Sequence, residues 1–381
     1  MKIPSALWTT VLVALSVATA HAQGARKQDA RDLNQGVDPK KVDAAIEKGK
    51  QWLLAEKQRP RTSELVLYTL KHAGLDPQHE VFQSLLQSCL EEPLEETYNV
   101  SILAMFLSEF NPSKYQEKIA ECCQFLVDNQ FDEGLWSYGA PTTFAPFVRT
   151  PSASRDVATP SKPRGAVKVD ASARPKSIIQ IKRQAGVAGQ GKNKGGDNSN
   201  TQYAALGLRA CMEANVFPPQ ETLVRAKSYW EKTQHPDGGW GYGTTPSYGS
   251  MTLGGLASLI LYKTYLKEPW QADERVVKGF EWVTENFSVD GNPKRETHRY
   301  FYYMYALERL GIFGERTTFG AHDWYREGAN KLLALQRPEG NWAGSDFTGG
   351  TAADTCFAIL FLRRATPPLQ NVASVDRVLK R

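Results

Sequence analysis

A tract that ends a helix in Gln, turns through Gly and closes on Trp recurs along this chain, and it limits what the chain can fold into. Its fullest copy runs from Arg225 to Tyr242, RAKSYWEKTQHPDGGWGY. Ala226, Tyr229 and Trp230 recur at spacings of three and four, and Lys227, Glu231 and Lys232 fall on the other face, as in an amphipathic helix. Gln234 closes the helix, Pro236 prevents its continuation, and Gly238 and Gly239 allow a sharp turn before the large apolar ring of Trp240. Degenerate copies end at Gln336, with Pro338, Gly340 and Trp342, and at Gln130, with Gly134 and Trp136. Weaker copies hold Lys48-Gly49 with Trp52 and Gln58, and Lys278-Gly279 with Trp282 and Gly291. Gln234 and Gln336 lie 102 residues apart with the weak copy at Trp282 between them. The unit is therefore about 50 residues, the length of a helical hairpin in an array or ring.

The period of three and four continues on both sides of these tracts. It predicts helices at about residues 39–58, 63–71, 79–90, 97–110 and 115–129. After a break it predicts others at 199–214, 219–232, 251–266, 273–286, 297–310, 323–335 and 351–364, with a partial one near 372–379. No strand pattern stands out. Helices that carry the Gln-Trp tract have a charged face, whereas those between them, such as Gly254 to Leu261, are apolar nearly all round. The first kind suits an outer layer and the second an inner one buried on every side. Six inner helices, starting near Ser63, Thr97, Ser199, Met251, Thr297 and Thr351, predict an all-α fold, an α/α toroid of about six hairpins.

Two segments fall outside this rhythm. Lys2, the apolar run from Ala6 to Ala20 and the small residues of Ala20-His21-Ala22 predict a secretory signal over residues 1–22, and hence export to the periplasm or beyond. A flexible segment, 23–36, follows. Residues 145–196 divide the toroid into 37–144 and 197–381. They are rich in Pro, Ser, Gly, Lys and Arg, and hold eleven basic residues against Asp156 and Asp170, a net +9 in a chain whose total is +5. Such an insertion reads as a disordered tether, with an anionic envelope surface as its possible partner. Lacking interleaved aromatic residues, it does not read as a nucleic-acid site. The five cysteines, at 89, 122, 123, 211 and 356, are too scattered for a disulfide scaffold and sit mostly in apolar helical stretches, as small core residues do.

The tracts Lys48-Gly49, Gln130…Trp136, Gln234…Trp240 and Gln336…Trp342 resemble the Gln-Trp repeats of the terpenoid cyclase and protein prenyltransferase superfamily, an α/α-toroid family. The likeness spans about residues 41–364 without the basic insertion. Asp197-Asn198-Ser199-Asn200-Thr201-Gln202-Tyr203 with Ser250-Met251-Thr252 resembles the squalene cyclase-like bacterial branch. The resemblance implies a small lipophilic, isoprenoid-like ligand in a central cavity. It also implies that an Asp-x-Asp-Asp-Thr tract, acid in the middle, would protonate an alkene. Here that middle position is Ser199 in one candidate tract and Ala353 in the other, so the strong acid such chemistry needs is missing. Asp354-Thr355-Cys356 resembles half of a prenyltransferase zinc site, but no His follows His322 to complete it, so neither a metal nor another cofactor is expected.

In a toroid the starts of the inner helices share one rim. Candidate catalytic residues there are Asp354, Asp197, Glu296 and His298, and candidate cavity residues are Tyr98, Ser199, Met251, Tyr300, Tyr302 and Cys356. Ser, Thr and Asp at such positions equally serve as helix caps. Two other classes stay open. One is a polysaccharide lyase or glycosidase on an α/α barrel, using Glu296, His298 and the tyrosines from Tyr300 to Tyr305. The other is a toroid that binds a ligand or protein without catalysis.

Overall fold

The computed structural model describes residues 36–56, 62–151, 175–184, 195–344 and 349–369. The expected signal sequence, the segment from residue 23 to 35, most of the basic insertion and the last partial helix lie outside the described residues.

The described chain is mostly helical, with twelve helices and a few short strands. In chain order the first half holds α1 (Pro39–Ala55), α2 (Ser63–His72), α3 (Glu80–Glu91), α4 (Thr97–Phe110), α5 (Gln116–Asp128), β1 (Arg149–Pro151) and β2 (Ser177–Gln180). The second half continues with α6 (Asn198–Glu213), β3 (Val216–Phe217), α7 (Gln220–Thr233), α8 (Gly249–Tyr265), α9 (Glu274–Glu285) and α10 (Tyr300–Phe313). It ends with β4 (Thr318–Phe319), β5 (His322–Asp323), α11 (Trp324–Leu335) and α12 (Gly350–Arg363).

Burial divides the helices as the apolar pattern predicts. Every residue of α8 except Thr264 is buried, whereas α9 buries only Val276, Gly279, Trp282 and Val283, one stripe at helical spacing. The inner helices pack in sequence, α2 on α4, α4 on α6, α6 on α8, α8 on α10 and α10 on α12, and α12 packs back on α2. Outside them α5 lies on α4 and α6, α11 lies on α10 and α12, and α1 lies on α11 and α12.

The Gln-Trp tract is the joint between hairpins. Gln130 Nε2 donates to Gly134 O and, at 2.9 Å, to Thr222 O in α7. Gln234 Nε2 donates to Gly238 O and Arg275 O, both at 2.8 Å, reaching α9. Gln336 Nε2 donates to Gly340 O and Ala45 O, reaching α1. Each amide thus closes its own turn and grips the next outer helix. Each Trp indole points back to the carbonyl ten residues earlier, Trp136 to Leu126, Trp240 to Trp230 and Trp342 to Leu332. Threonines on the inner helices then receive the Trp backbone N–H: Thr201 for Trp136, Thr252 for Trp240 and Thr355 for Trp342. All three indoles are fully buried, so the tract is a packing element of the fold.

Two expectations change. The insertion is not a tether where it is described. β2 pairs antiparallel with β1 and parallel with β3, burying Ile179 and Ile181, and its chain runs along one face of α5. Gln116 exchanges hydrogen bonds with Ser177, Gln124 donates to Lys182 O, and Gln184 N donates to the Asp128 carboxylate at 3.0 Å. The short Ile178–Ile181 run supplied too few residues to show a strand period beside its basic neighbours. The second change is at α10, which begins at Tyr300 rather than Thr297, because Glu296 and Arg299 hold left-handed backbone with φ of 52° and 57°.

Candidate tyrosine-lined mouth

The first turn of α6 lies between two repeat loops. Asp197 N donates to Trp136 O at 2.9 Å, and Asn198 Nδ2 donates to Gly241 O at 2.7 Å, so the turn is tied to the loop on either side. Two residues past each Trp stands a tyrosine, Tyr138 in one loop and Tyr242 in the other, 45% and 39% exposed. The first turn of α4 fixes the first of these, since Thr97 N donates to Tyr138 O and Thr97 Oγ1 to Ser137 O.

Asp197 caps α6 and gathers donors. Ser199 Oγ donates to its Oδ1 at 2.6 Å, Asn200 N to the same oxygen at 2.8 Å, and Asn200 Nδ2 to Oδ2 at 2.7 Å. Around this carboxylate stand Tyr98, Tyr229, Tyr242 and Tyr248. Burial pushes the Tyr98 hydroxyl well above the ordinary tyrosine range, and pushes the other three up to about 12. The Asp197 charge adds to the shift in all four, since a phenolate beside a carboxylate is disfavoured. Tyr98 lies 4.4 Å between ring centroids from Tyr203, and Tyr203 stacks on Tyr302 at 6.3 Å. Arg295 covers the Tyr248 ring at 4.7 Å.

Of the residues singled out in the sequence, Asp197, Tyr98, Ser199 and Tyr302 belong to this one cluster. The others go elsewhere. Asp354 lies inside α12 rather than at its start and accepts Gly344 N, fastening the loop after Trp342. Cys356 and Met251 are buried in helix packing. The tyrosines of α10 divide by face: Tyr300 and Tyr303 donate to Val289 O and Ser288 O, while Tyr302 and Tyr305 turn inward. Glu296 and His298 line a separate open recess of about 660 Å³ formed with Ser288 and residues 291–295, where Asn292 Nδ2 donates to His298 O.

Beyond this cluster, polar side chains meet in the buried interior. Gln202 donates to Tyr302 Oη, and Arg309 Nη2 donates to Gln202 Oε1 at 3.2 Å. Arg309 stacks over Tyr305 at 4.2 Å. At the far end, Tyr68, Lys71 and His72 converge on Glu109, and Arg209 pairs with Glu213 at 3.0 Å. Burial alone would raise the Glu109 carboxyl, but Lys71 and His72 outweigh it and hold the group far below the usual range. Sequence reading missed the charged side chains Arg209, Glu213 and Arg309 among them. Their signal was a charge within an otherwise apolar helix, as in LGLRACME and ALERLGIF, which has to be paired or bound inside the fold.

No family model matches the chain, and no curated protein matches its sequence.

Proposed function

We propose that this chain is an exported α/α toroid of the cyclase and prenyltransferase kind whose mouth binds a saccharide. The observation that carries the reading is the pair Tyr138 and Tyr242, exposed at equivalent positions of two repeats on either side of Asp197. Exposed aromatic faces give a sugar's C–H surface a platform, and a carboxylate with neighbouring hydroxyls accepts and returns hydrogen bonds to sugar hydroxyls. Closure of the toroid is supported by α12 packing on α2 and by the bond from Gln336 to Ala45. A lipophilic, isoprenoid-like ligand needs an apolar hollow along the axis, whereas Gln202, Tyr203, Tyr302, Tyr305 and Arg309 occupy that region. Binding rather than turnover is proposed, because Asp197 is engaged by three donors and the acid position beside it is Ser199.

The test is a panel of neutral and acidic oligosaccharides measured against purified protein by array and calorimetry. A saccharide should bind, and Tyr138→Ala or Tyr242→Ala should each weaken it ~10-fold or more, within the range of single aromatic contacts. If no saccharide binds and a polyprenoid co-purifies by mass spectrometry, the lipophilic reading replaces this one.

A further inference from the structure

Arg309 is a buried cation that forms no ion pair with a carboxylate among the described residues. It is 2% exposed; among the described residues it donates to the neutral amide of Gln202 and has the Tyr203 hydroxyl beside it. The adjacent Glu308 turns away, its carboxylate accepting Thr366 N at 3.0 Å and Thr366 Oγ1 at 2.5 Å. Other buried cations have carboxylate partners, Lys71 with Glu109, Arg209 with Glu213 and Lys263 with Glu231 and Asp273. A guanidinium taken out of water without a counter-charge costs several kcal/mol, and stacking on Tyr305 offsets only part of that.

Three buried polar atoms belong to the side chains around this cation. Among the described residues, Arg309 Nη1 and Tyr305 Oη are buried without a hydrogen-bond partner, and Tyr203 Oη, beside the guanidinium, has no acceptor for its own proton. The guanidinium carbon lies 5.5 Å from the Tyr203 ring centroid and 4.2 Å from that of Tyr305. Each of the three atoms can donate, and the guanidinium cannot accept. Donors around an uncompensated positive charge suit an anion better than a cation or a neutral ligand.

We propose that Arg309, Tyr203 and Tyr305 hold one small monovalent anion, of halide or formate size, in the centre of the helical assembly. The anion supplies the missing counter-charge, accepts from Nη1 and both hydroxyls, and ties α6 to α10 across α8. It stands apart from the mouth, behind Gln202, and does not depend on what the mouth binds.

Thermal unfolding at constant ionic strength tests this, with sodium gluconate, too bulky for the interior, replaced stepwise by bromide, chloride or formate. An anion bound only by the folded state should raise Tm by about 5 °C between the gluconate buffer and a concentration near 100 times its Kd. Arg309→Met should abolish the dependence, and Tyr203→Phe/Tyr305→Phe, which keeps the rings, should weaken it at least ~10-fold in midpoint concentration. If Arg309→Met fails to fold, the double phenylalanine variant and an anomalous bromide peak beside Arg309 in soaked crystals carry the decision. Equal Tm in gluconate and halide, or a halide effect that survives in the double variant with no anomalous peak at Arg309, would refute the site.

Discussion

Gln336 donates from Nε2 to the carbonyl oxygen of Ala45 at 2.8 Å, joining residues 291 positions apart. The same amide donates to Gly340 O at 2.7 Å, so one side chain closes a turn and fastens α11 to α1. Gln336→Ala leaves both carbonyls without that donor. Stability should fall by about 1–3 kcal/mol, as for a hydrogen-bonded group whose buried partners are left unmade. The distinctive result is local: amide exchange should quicken first in α1. Gln234→Ala should instead loosen α9, through its bond to Arg275 O. Uniform acceleration in both variants would mean that the joints do not act locally.

The repeat glycines give a graded prediction. Gly134, Gly238 and Gly340 all have positive φ, at 100°, 85° and 98°. A methyl group at each would meet the carbonyl oxygen of Arg225 at 2.1 Å, of Lys278 at 2.4 Å and of Lys48 at 2.7 Å respectively. Backbone strain is similar at the three sites, so the clash decides the order. Alanine should cost about 2–5 kcal/mol, most at Gly134 and least at Gly340, read from chemical denaturation. A reversed order would show that the loops, not the neighbouring helices, yield.

These joints were legible in the sequence because each is local: a helix end, a turn and a Trp within ten residues. The alternation of inner and outer helices was equally legible, since α8 is apolar all round and α9 along one stripe. Asp197, Tyr98, Ser199 and Tyr302 were singled out for lying near inner-helix starts. What the sequence hid is pairing over distance. That Thr97 holds Tyr138, that Gln202 bridges Tyr302 and Arg309, and that β2 docks on α5 are contacts with no short-range signature. Glu296 and Asp354 show the converse, as residues of suitable chemistry whose local backbone leads them elsewhere.

Glu308 and Glu109 should give stability opposite dependences on pH. Burial pushes the Glu308 carboxyl up to about 7, with the Thr366 hydrogen bonds offsetting part of the shift. The folded state then binds a proton more tightly than the unfolded one. The associated stability is complete below the unfolded value near 4.5 and is lost as pH rises to about 7. Glu308→Gln removes this loss, so the variant should match wild type at pH 4.5 and exceed it by about 3 kcal/mol at pH 8. Glu109 is held low, so its contribution is present above the unfolded value near 4.5 and lost on acidification. Glu109→Gln should therefore be destabilising at pH 7 and less so at pH 3. Urea melts across this range check both signs.

Asp197 should act on the mouth through its charge. Tyr242 is partly exposed and its hydroxyl is pushed up to about 12, by burial first and then by the Asp197 carboxylate. Asp197→Asn keeps the size and one acceptor oxygen for Ser199 Oγ and Asn200 N, while the Asn200 amide can turn to accept from the new NH₂. The helix cap survives, since Asn caps about as well as Asp, and Tm should move by only a few tenths of a kcal/mol equivalent. Without the negative charge the Tyr242 phenolate is less disfavoured, so its titration should shift to lower pH. Carbon-13 labelled tyrosine followed by NMR through alkaline pH, with Tyr242→Phe to identify the signal, measures this directly. An unchanged Tyr242 titration in Asp197→Asn would leave the carboxylate as a helix cap alone and remove it from the proposed saccharide site.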